Sequence, residues 1–330
     1  MMQLAILTNV DEHCGIAEYA RNLQGALEPW YKVALFLPEE FVEAALYGQV
    51  VLVNWHPARV HISVEWVRRM QTEGQAKVVL IHHNSRHEPV QVAEGDLLDT
   101  VDAVVAHEPF LLTVWNAGQQ YRVKPVTYIP HGFPAVDGLL ECPSSDLVLG
   151  TGGFAFPWKR FDVVIEAARR LGGHANMVCP PYPSLNVQEL ESRWMAVLGA
   201  CLRMEKSFLS QEAVVRRLAL STINIFWFQS GEAADEFGQT GAARFGVAAR
   251  RPMIISRHRK FRMLLEEYPE EFYVADTEDD VYRLVEQIWA ALRKSESVKC
   301  PRRVIEEQAW PMAAARYRCL IRSLTGERNG

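Results

Sequence analysis

No Cys-x-x-Cys pair occurs in this chain of 330 residues. The six cysteines, Cys14, Cys142, Cys179, Cys201, Cys300 and Cys319, lie scattered. That spacing speaks against a zinc ribbon and against a disulfide framework, and suits reduced, mostly buried thiols. Apolar runs of membrane-spanning length are missing. So is a strong charge of either sign: the formal net charge is −5 and the pI about 6.1. This excludes a dominant nucleic-acid surface and leaves room only for a local basic patch. Neither Gly-x-Gly-x-x-Gly after the first apolar run nor Gly-x-x-x-x-Gly-Lys-Ser/Thr is present, so a Rossmann dehydrogenase or a P-loop kinase fits poorly. No fixed-period repeat or low-complexity tract stands out. Met1–Asn9 lacks a basic leader and reads as a first strand rather than a secretory signal, so a cytoplasmic protein is expected.

What is present is a soluble composition, 49% apolar and 23% charged, on a chain long enough for two domains. Short apolar runs alternate with helical patterns. Leu4–Leu7, Val33–Leu37, Val50–Val53, Val78–Ile81, Ala103–Ala106 and Val126–Ile129 read as strands, with helices such as Ile16–Leu27 and Ser63–Gln71 between them. A second series begins at Leu147–Gly150 and runs through Asp162–Leu171, Ala175–Val178, Gln188–Leu198, Gln211–Ala219, Ile223–Phe226, Gly241–Ala249, Met253–Ser256, Glu271–Val274 and Asp279–Leu292. Proline, glycine and serine cluster between the series, at Phe133–Gly138 and Cys142–Asp146, as in a linker. The expected fold class is α/β: two doubly wound, Rossmann-like domains facing each other across a cleft, 1–140 and 141–309, followed by a helical tail, 310–330.

The stretch Val148–Ala167 carries the chemistry. An apolar strand leads into Gly150-Thr151-Gly152-Gly153, then Trp158-Lys159-Arg160, then an amphipathic helix. Glycines admit close approach of a ligand to backbone amides, a helix start leaves N–H groups unpaired, and Lys159 adds a full charge. That order of parts builds an anion site, and a phosphate-bearing ligand is expected there. Arg160 either assists or is a solvated arginine. Phe156 and Trp158 read as packing under the loop.

With Cys14–Leu23, Ile129-Pro130-His131-Gly132, Gly152–Ala167 and Glu236–Arg244 in this order, the chain resembles the GT-B glycosyltransferases, in particular the retaining, nucleotide-sugar-dependent family 4 type. The resemblance covers most of the chain, and its tail around Trp310 is similar to the final helix that crosses back onto the first domain. Two departures stand out. The family 4 pattern of two glutamates flanking seven residues is degenerate: Glu236 matches the first, but Arg244 occupies the second position. Phe154, not arginine, follows Gly153.

The resemblance implies a hexosyltransferase-type enzyme of polysaccharide or glycoconjugate biosynthesis. It would move a sugar from a UDP- or GDP-sugar to the hydroxyl of a glycan, lipid-linked or other acceptor. The nucleotide sugar is a co-substrate, and no metal or other cofactor is expected; no Asp-x-Asp motif is present. Retaining transfer needs no dedicated base, because the leaving phosphate takes the acceptor proton. His82, Lys159 and Glu236 are the expected catalytic residues, with His83 the alternate to His82 at the carboxyl end of a strand. Gly15, Ile16, His83, His131, Gly153, Arg160, Gly238, Thr240 and Gly241 are expected at the donor or substrate. Competing readings of the residues stay open. Gly15 also suits a helix start, His131 a turn, and Glu236 a solvated acid cluster with Glu232 and Asp235. His83, His87 and Glu88 have a loose metal-ligand spacing that Asn84, Ser85 and Pro89 argue against. No nucleic-acid partner is expected, peripheral association with the inner membrane face stays open, and the oligomeric state is not legible. The other function class is a non-catalytic GT-B module that binds nucleotide or glycan, motivated by the two departures.

Overall fold

The computed structural model describes residues 1–11, 14–56, 60–83, 92–107, 126–139, 145–230 and 241–327. The chain divides into a front unit, Met1–Gly132 with Trp310–Gly330, and a rear unit, Phe133–Asp235 with Thr240–Ala309. The first division falls after Gly132, earlier than the expected boundary after residue 140. The reason is packing: Phe133 and Val136 are already buried in the rear core, and Phe133 N–H donates to the Gln308 carbonyl at 2.9 Å.

The front unit contains β1 (Gln3–Leu7), α1 (Gly15–Leu27), β2 (Lys32–Phe36), α2 (Phe41–Tyr47), β3 (Val50–Trp55), α3 (Val64–Thr72), β4 (Lys77–His82), α4 (Val92–Thr100), β5 (Ala103–Ala106) and β6 (Val126–Tyr128). The strands form one parallel sheet in the order β2-β1-β3-β4-β5-β6. Alternation along each strand sorts the side chains onto two faces. Leu4, Ile6, Leu52, Val79, Ile81 and Val105 pack with α1, whereas Ala5, Leu7, Val51, Val53, Val78 and Leu80 pack with α2 and α3. Both faces are apolar because helices cover both.

In the rear unit follow β7 (Val148–Gly152), α5 (Phe161–Leu171), β8 (His174–Val178), α6 (Val187–Leu198), β9 (Leu202–Glu205), α7 (Gln211–Ala219), β10 (Ile223–Phe226), α8 (Gly241–Ala248), β11 (Met253–Ile255), α9 (Arg262–Glu267), β12 (Tyr273–Val274), α10 (Glu278–Arg293) and α11 (Arg303–Gln308). Their sheet is also parallel, in the order β12-β11-β10-β7-β8-β9. The final helix, α12 (Trp310–Thr325), belongs to the front unit. Ala313, Ala314, Tyr317 and Ile321 enter the core beside α1, and the Tyr317 and Tyr19 hydroxyls meet at 2.8 Å.

One strand was not expected, and one expected strand is shorter. β9 was not legible, because Leu-Arg-Met-Glu buries only Leu202 at a sheet edge. The strand expected at Glu271–Val274 shrinks to Tyr273–Val274. Glu271 instead accepts the N–H groups of Arg302, Arg303 and Val304, capping the start of α11 with a carboxylate.

Each sheet has one point where the strand order reverses, between β1 and β3 in the front unit and between β7 and β10 in the rear. Open parallel sheets bind ligands at the carboxyl ends of the strands flanking such a point.

Candidate functional site

At the rear reversal point, β7 ends in Gly152, and Gly153 follows it. Gly153 has φ +105° and donates its N–H to the Val178 carbonyl at 2.8 Å. A Cβ there would lie 2.6 Å from the Ala242 Cβ and 3.1 Å from the Lys159 Nζ. Glycine therefore lets the loop bring the lysine up to the first turn of α8. A short turn, Pro157–Lys159, aims the side chain, and Lys159 is only 7% exposed.

The Lys159 ammonium lies among rings. Its Nζ is 5.6, 5.3 and 6.0 Å from the ring centroids of Phe156, Trp158 and Phe228. Among the described residues it meets no hydrogen-bond acceptor and no carboxylate. Burial first, and the positive charge of Lys260 second, pull its pKa down to about 7. A buried amine beside a helix start favours an anionic ligand there.

Arg160 behaves differently. It adopts φ +47° and donates to Asp162 Oδ2 at 2.9 Å, Glu278 Oε1 at 2.5 Å and Gln229 Oε1 at 3.0 Å. Hydrogen bonding to Asp162, and then to Glu278, raises its pKa further. The sequence placed Arg160 beside the ligand; the structure ties it to Asp162 and Glu278, at the start of α10. A cavity of about 830 Å³ opens beside the same loop, lined by Phe156, Trp158, Arg160, Trp194, Gln229 and Glu278, and Lys159 does not line it.

Aromatic rings gather at the carboxyl ends of β7, β8 and β9. Phe154 lies 4.8 Å from Tyr182 and 6.1 Å from Phe208, and Tyr182 lies 5.0 Å from Phe156. Three loops thus build one partly exposed aromatic face.

In the front unit, polar side chains stand at the carboxyl ends of the strands near the reversal point. Asn54, next to last in β3, donates from Nδ2 to Thr8 Oγ1 (3.0 Å) and to the Ile16 carbonyl (2.6 Å). The carbonyl fixes the amide's orientation, so Oδ1 faces the His83 Nε2, which donates to it. His83 then keeps Nδ1 as an acceptor. His107 donates from Nδ1 to the Ile129 carbonyl at 2.8 Å, which leaves Nε2 as its acceptor. The His83, His107 and His131 rings lie 4.9 to 5.8 Å apart, and Tyr19 packs edge-on against His83 and His131, 4.5 Å from each.

His82 lies outside this cluster. One residue of strand phase turns it to the opposite face, where it is buried with its ring 4.7 Å from Trp55. The structure brings His83 and His131 together but not His82. Gly15 opens α1, and among the described residues neither left-handed backbone nor any atom within 4 Å of a Cβ requires glycine there. Gly241 opens α8. Glu236, Gly238 and Thr240, like His87 and Glu88, lie outside the described residues. Among the described residues no group of three or more His, Cys, Asp or Glu side chains could hold a metal ion. No described helix is long and apolar enough to cross a membrane.

Sequence reasoning missed Asn54, Tyr19, His107, Tyr182 and Phe208. A signal existed for two of them: Asn54 and His107 each end or follow an apolar strand with a polar side chain.

No family model matches the chain, and no curated protein does. Solved structures do share its architecture. HepE of Anabaena, in complex with UDP and glucose, superposes with a TM-score of 0.71 at 11% identity, covering 99% of this chain and all of that one. AviGT4, a glycosyltransferase of avilamycin A biosynthesis, gives 0.62 at 14% identity over 99% of both chains. The pneumococcal O-GlcNAc transferase GtfA, in complex with UDP and GlcNAc, gives 0.62 at 11% identity, covering 84% of this chain and 57% of that one. With its two parallel six-stranded sheets, the chain has the GT-B fold of these glycosyltransferases.

Proposed function

We propose that this protein is a glycosyltransferase that moves a sugar from a UDP- or GDP-sugar to an acceptor hydroxyl, with retention and without a metal. The observation that carries the reading is Lys159: a buried amine with no anion among the described residues, seated beside Gly153 and the start of α8 at the rear reversal point. A diphosphate placed there pairs its negative charge with that amine. In the transition state charge grows on the leaving phosphate oxygen, and a preorganised ammonium stabilises it more than the ground state. The leaving oxygen then takes the acceptor proton, so the sugar–oxygen bond to phosphate breaks as the bond to the acceptor forms.

The aromatic face of Phe154, Tyr182 and Phe208 suits a nucleobase, since ring stacking adds about 1–3 kcal/mol per base. In the front unit, His83 is the better candidate than His82 for the acceptor hydroxyl, because its Nδ1 is an acceptor locked by Asn54. Gly15, Ile16 and His131 flank that position in the reading. The acceptor class, glycan or lipid-linked, stays with the resemblance.

The test is turnover with a panel of UDP- and GDP-sugars, by the intact chain and by Lys159→Ala. Donor-dependent hydrolysis or transfer that Lys159→Ala loses supports the enzyme. Nucleotide binding without turnover assigns a binding module instead. A chain that neither binds nor turns over any donor ends both readings.

A further inference from the structure

Arg160 was expected at the donor, yet its guanidinium is committed to a rim of its own. It donates to Asp162 Oδ2, to Glu278 Oε1 and to Gln229 Oε1. The start of α5, the start of α10 and the loop after β10 are thereby fixed around one planar fork. This rim borders the cavity of about 830 Å³, which Lys159 does not line. Small-molecule sites have volumes of roughly 300–1,000 Å³.

The cavity has two kinds of wall. One is aromatic. The Phe156 and Trp158 rings lie within 7° of parallel, 6.1 Å apart, and Trp194 of α6 stacks on Phe161 at 6.3 Å. Val197, 44% exposed, adds to this apolar side. The other wall is polar and offers donors and acceptors together. Gln229 engages Oε1 with Arg160, which leaves its Nε2 as a donor. Arg193 and Ser230 add further donors. Asp162 and Glu278 keep acceptor lone pairs beyond those that Arg160 and Tyr282 use.

Charge nearly cancels in the lining. Asp162, Glu166 and Glu278 stand against Arg160 and Arg193, and Glu166 is also paired with Arg169 and Arg170. An ionic ligand gains little from such a balance. A purely apolar ligand would strip water from the carboxylates and the amide without replacing its hydrogen bonds. A sugar chain suits both walls. The C–H face of each ring lies on the negative faces of aromatic rings, and every hydroxyl both donates and accepts.

We propose that this groove between α5, α6 and the start of α10 is a second ligand site, for a neutral oligosaccharide, separate from the donor site at Lys159. Arg160 is its positioning residue. It holds Asp162, Glu278 and Gln229 in place before the sugar arrives, so little ordering cost remains on binding. The groove lies wholly within the rear unit and its occupancy needs no turnover, so the proposal stands or falls apart from the donor reading.

Saturation-transfer NMR on the full chain, with maltotriose, cellotriose and N,N′-diacetylchitobiose each at about 10 mM, tests this. Two variants accompany the wild type: Gln229→Ala removes the amide, and Val197→Arg fills the groove from an exposed position. The expected result is transfer to at least one saccharide in the wild type, unchanged by saturating UDP, with affinity lower by about fivefold or more in each variant. No transfer to any of the three overturns the proposal. Displacement by UDP also overturns it, since the groove is then part of the donor site. Affinity within twofold of wild type in both variants overturns it too, because the sugar then binds elsewhere. Should Gln229→Ala fail to fold by circular dichroism, Val197→Arg decides: weakened binding supports the groove, and unchanged binding overturns it. If the wild type binds no UDP, the donor reading fails and the saccharide comparisons decide this proposal by themselves.

Discussion

The Lys159 ammonium occupies the space that a side chain on Gly153 would fill, 3.1 Å from the would-be Cβ. The two residues form one device, in which the glycine makes room and the lysine fills it. Gly153→Ala adds a methyl where φ is +105° and where Ala242 stands 2.6 Å away. We expect it to lower stability by about 1–3 kcal/mol and to weaken UDP or GDP binding about tenfold or more. Thermal melts and calorimetry on the same preparation check both.

Proton uptake accompanies donor binding if Lys159 is the diphosphate ligand. Its pKa, held at about 7 by burial and by Lys260, leaves the amine partly neutral at pH 7 and mostly neutral at pH 8. A bound diphosphate favours the charged form and raises that pKa. Affinity for UDP should therefore fall as pH rises above 7, by up to about tenfold per unit. Calorimetry in buffers of different ionisation enthalpy should show protons taken up at pH 8. No uptake there contradicts the assignment.

The same lysine costs the unliganded fold. Its folded pKa lies below the unfolded value of 10.5, so between pH 7 and about 10 the unfolded chain binds more protons and stability rises with pH. Below pH 7 both states are protonated and the penalty is complete. Lys159→Met should raise the melting temperature at pH 6 while lowering donor turnover about a hundredfold or more. A lower melting temperature at pH 6 would count against a strained, waiting amine.

His83 and His82 separate function from packing. His83→Ala should lower kcat about a hundredfold by losing the orientation of the acceptor hydroxyl, with little change in melting temperature. His82→Ala removes a ring from beneath Trp55 and should cost about 1–3 kcal/mol of stability with kcat largely kept. Reversed outcomes would return the role to His82.

Gly132 tests the placement of the last helix. A Cβ there would stand 2.4 Å from the Trp310 indole. Gly132→Ala should destabilise the chain by about 1–3 kcal/mol, and Gly132→Ala with Trp310→Leu should recover part of it. Denaturant midpoints of the single and double variants measure the coupling.

The alternation of apolar runs and helical patterns made both parallel sheets legible, because strands buried on two faces are continuously apolar. β9 escaped because an edge strand with one buried residue has no such run. Lys159 and Gly153 were legible because they lie close together in a single strand-loop-helix. Tyr19, Asn54, His107 and His131 were harder, since only the order of strands in the sheet brings them to one place. His82 and His83 show the finest limit: adjacent in sequence, they face opposite sides of β4, and strand phase decided between them. Arg160 read as a cation near phosphate because its partner Glu278 is far away along the chain.

A crystal soaked with UDP or GDP tests the central claim most directly. We predict a diphosphate oxygen about 2.8 Å from the Lys159 Nζ, beside Gly153 and the start of α8. Nucleotide bound elsewhere, with that amine unengaged, would contradict it.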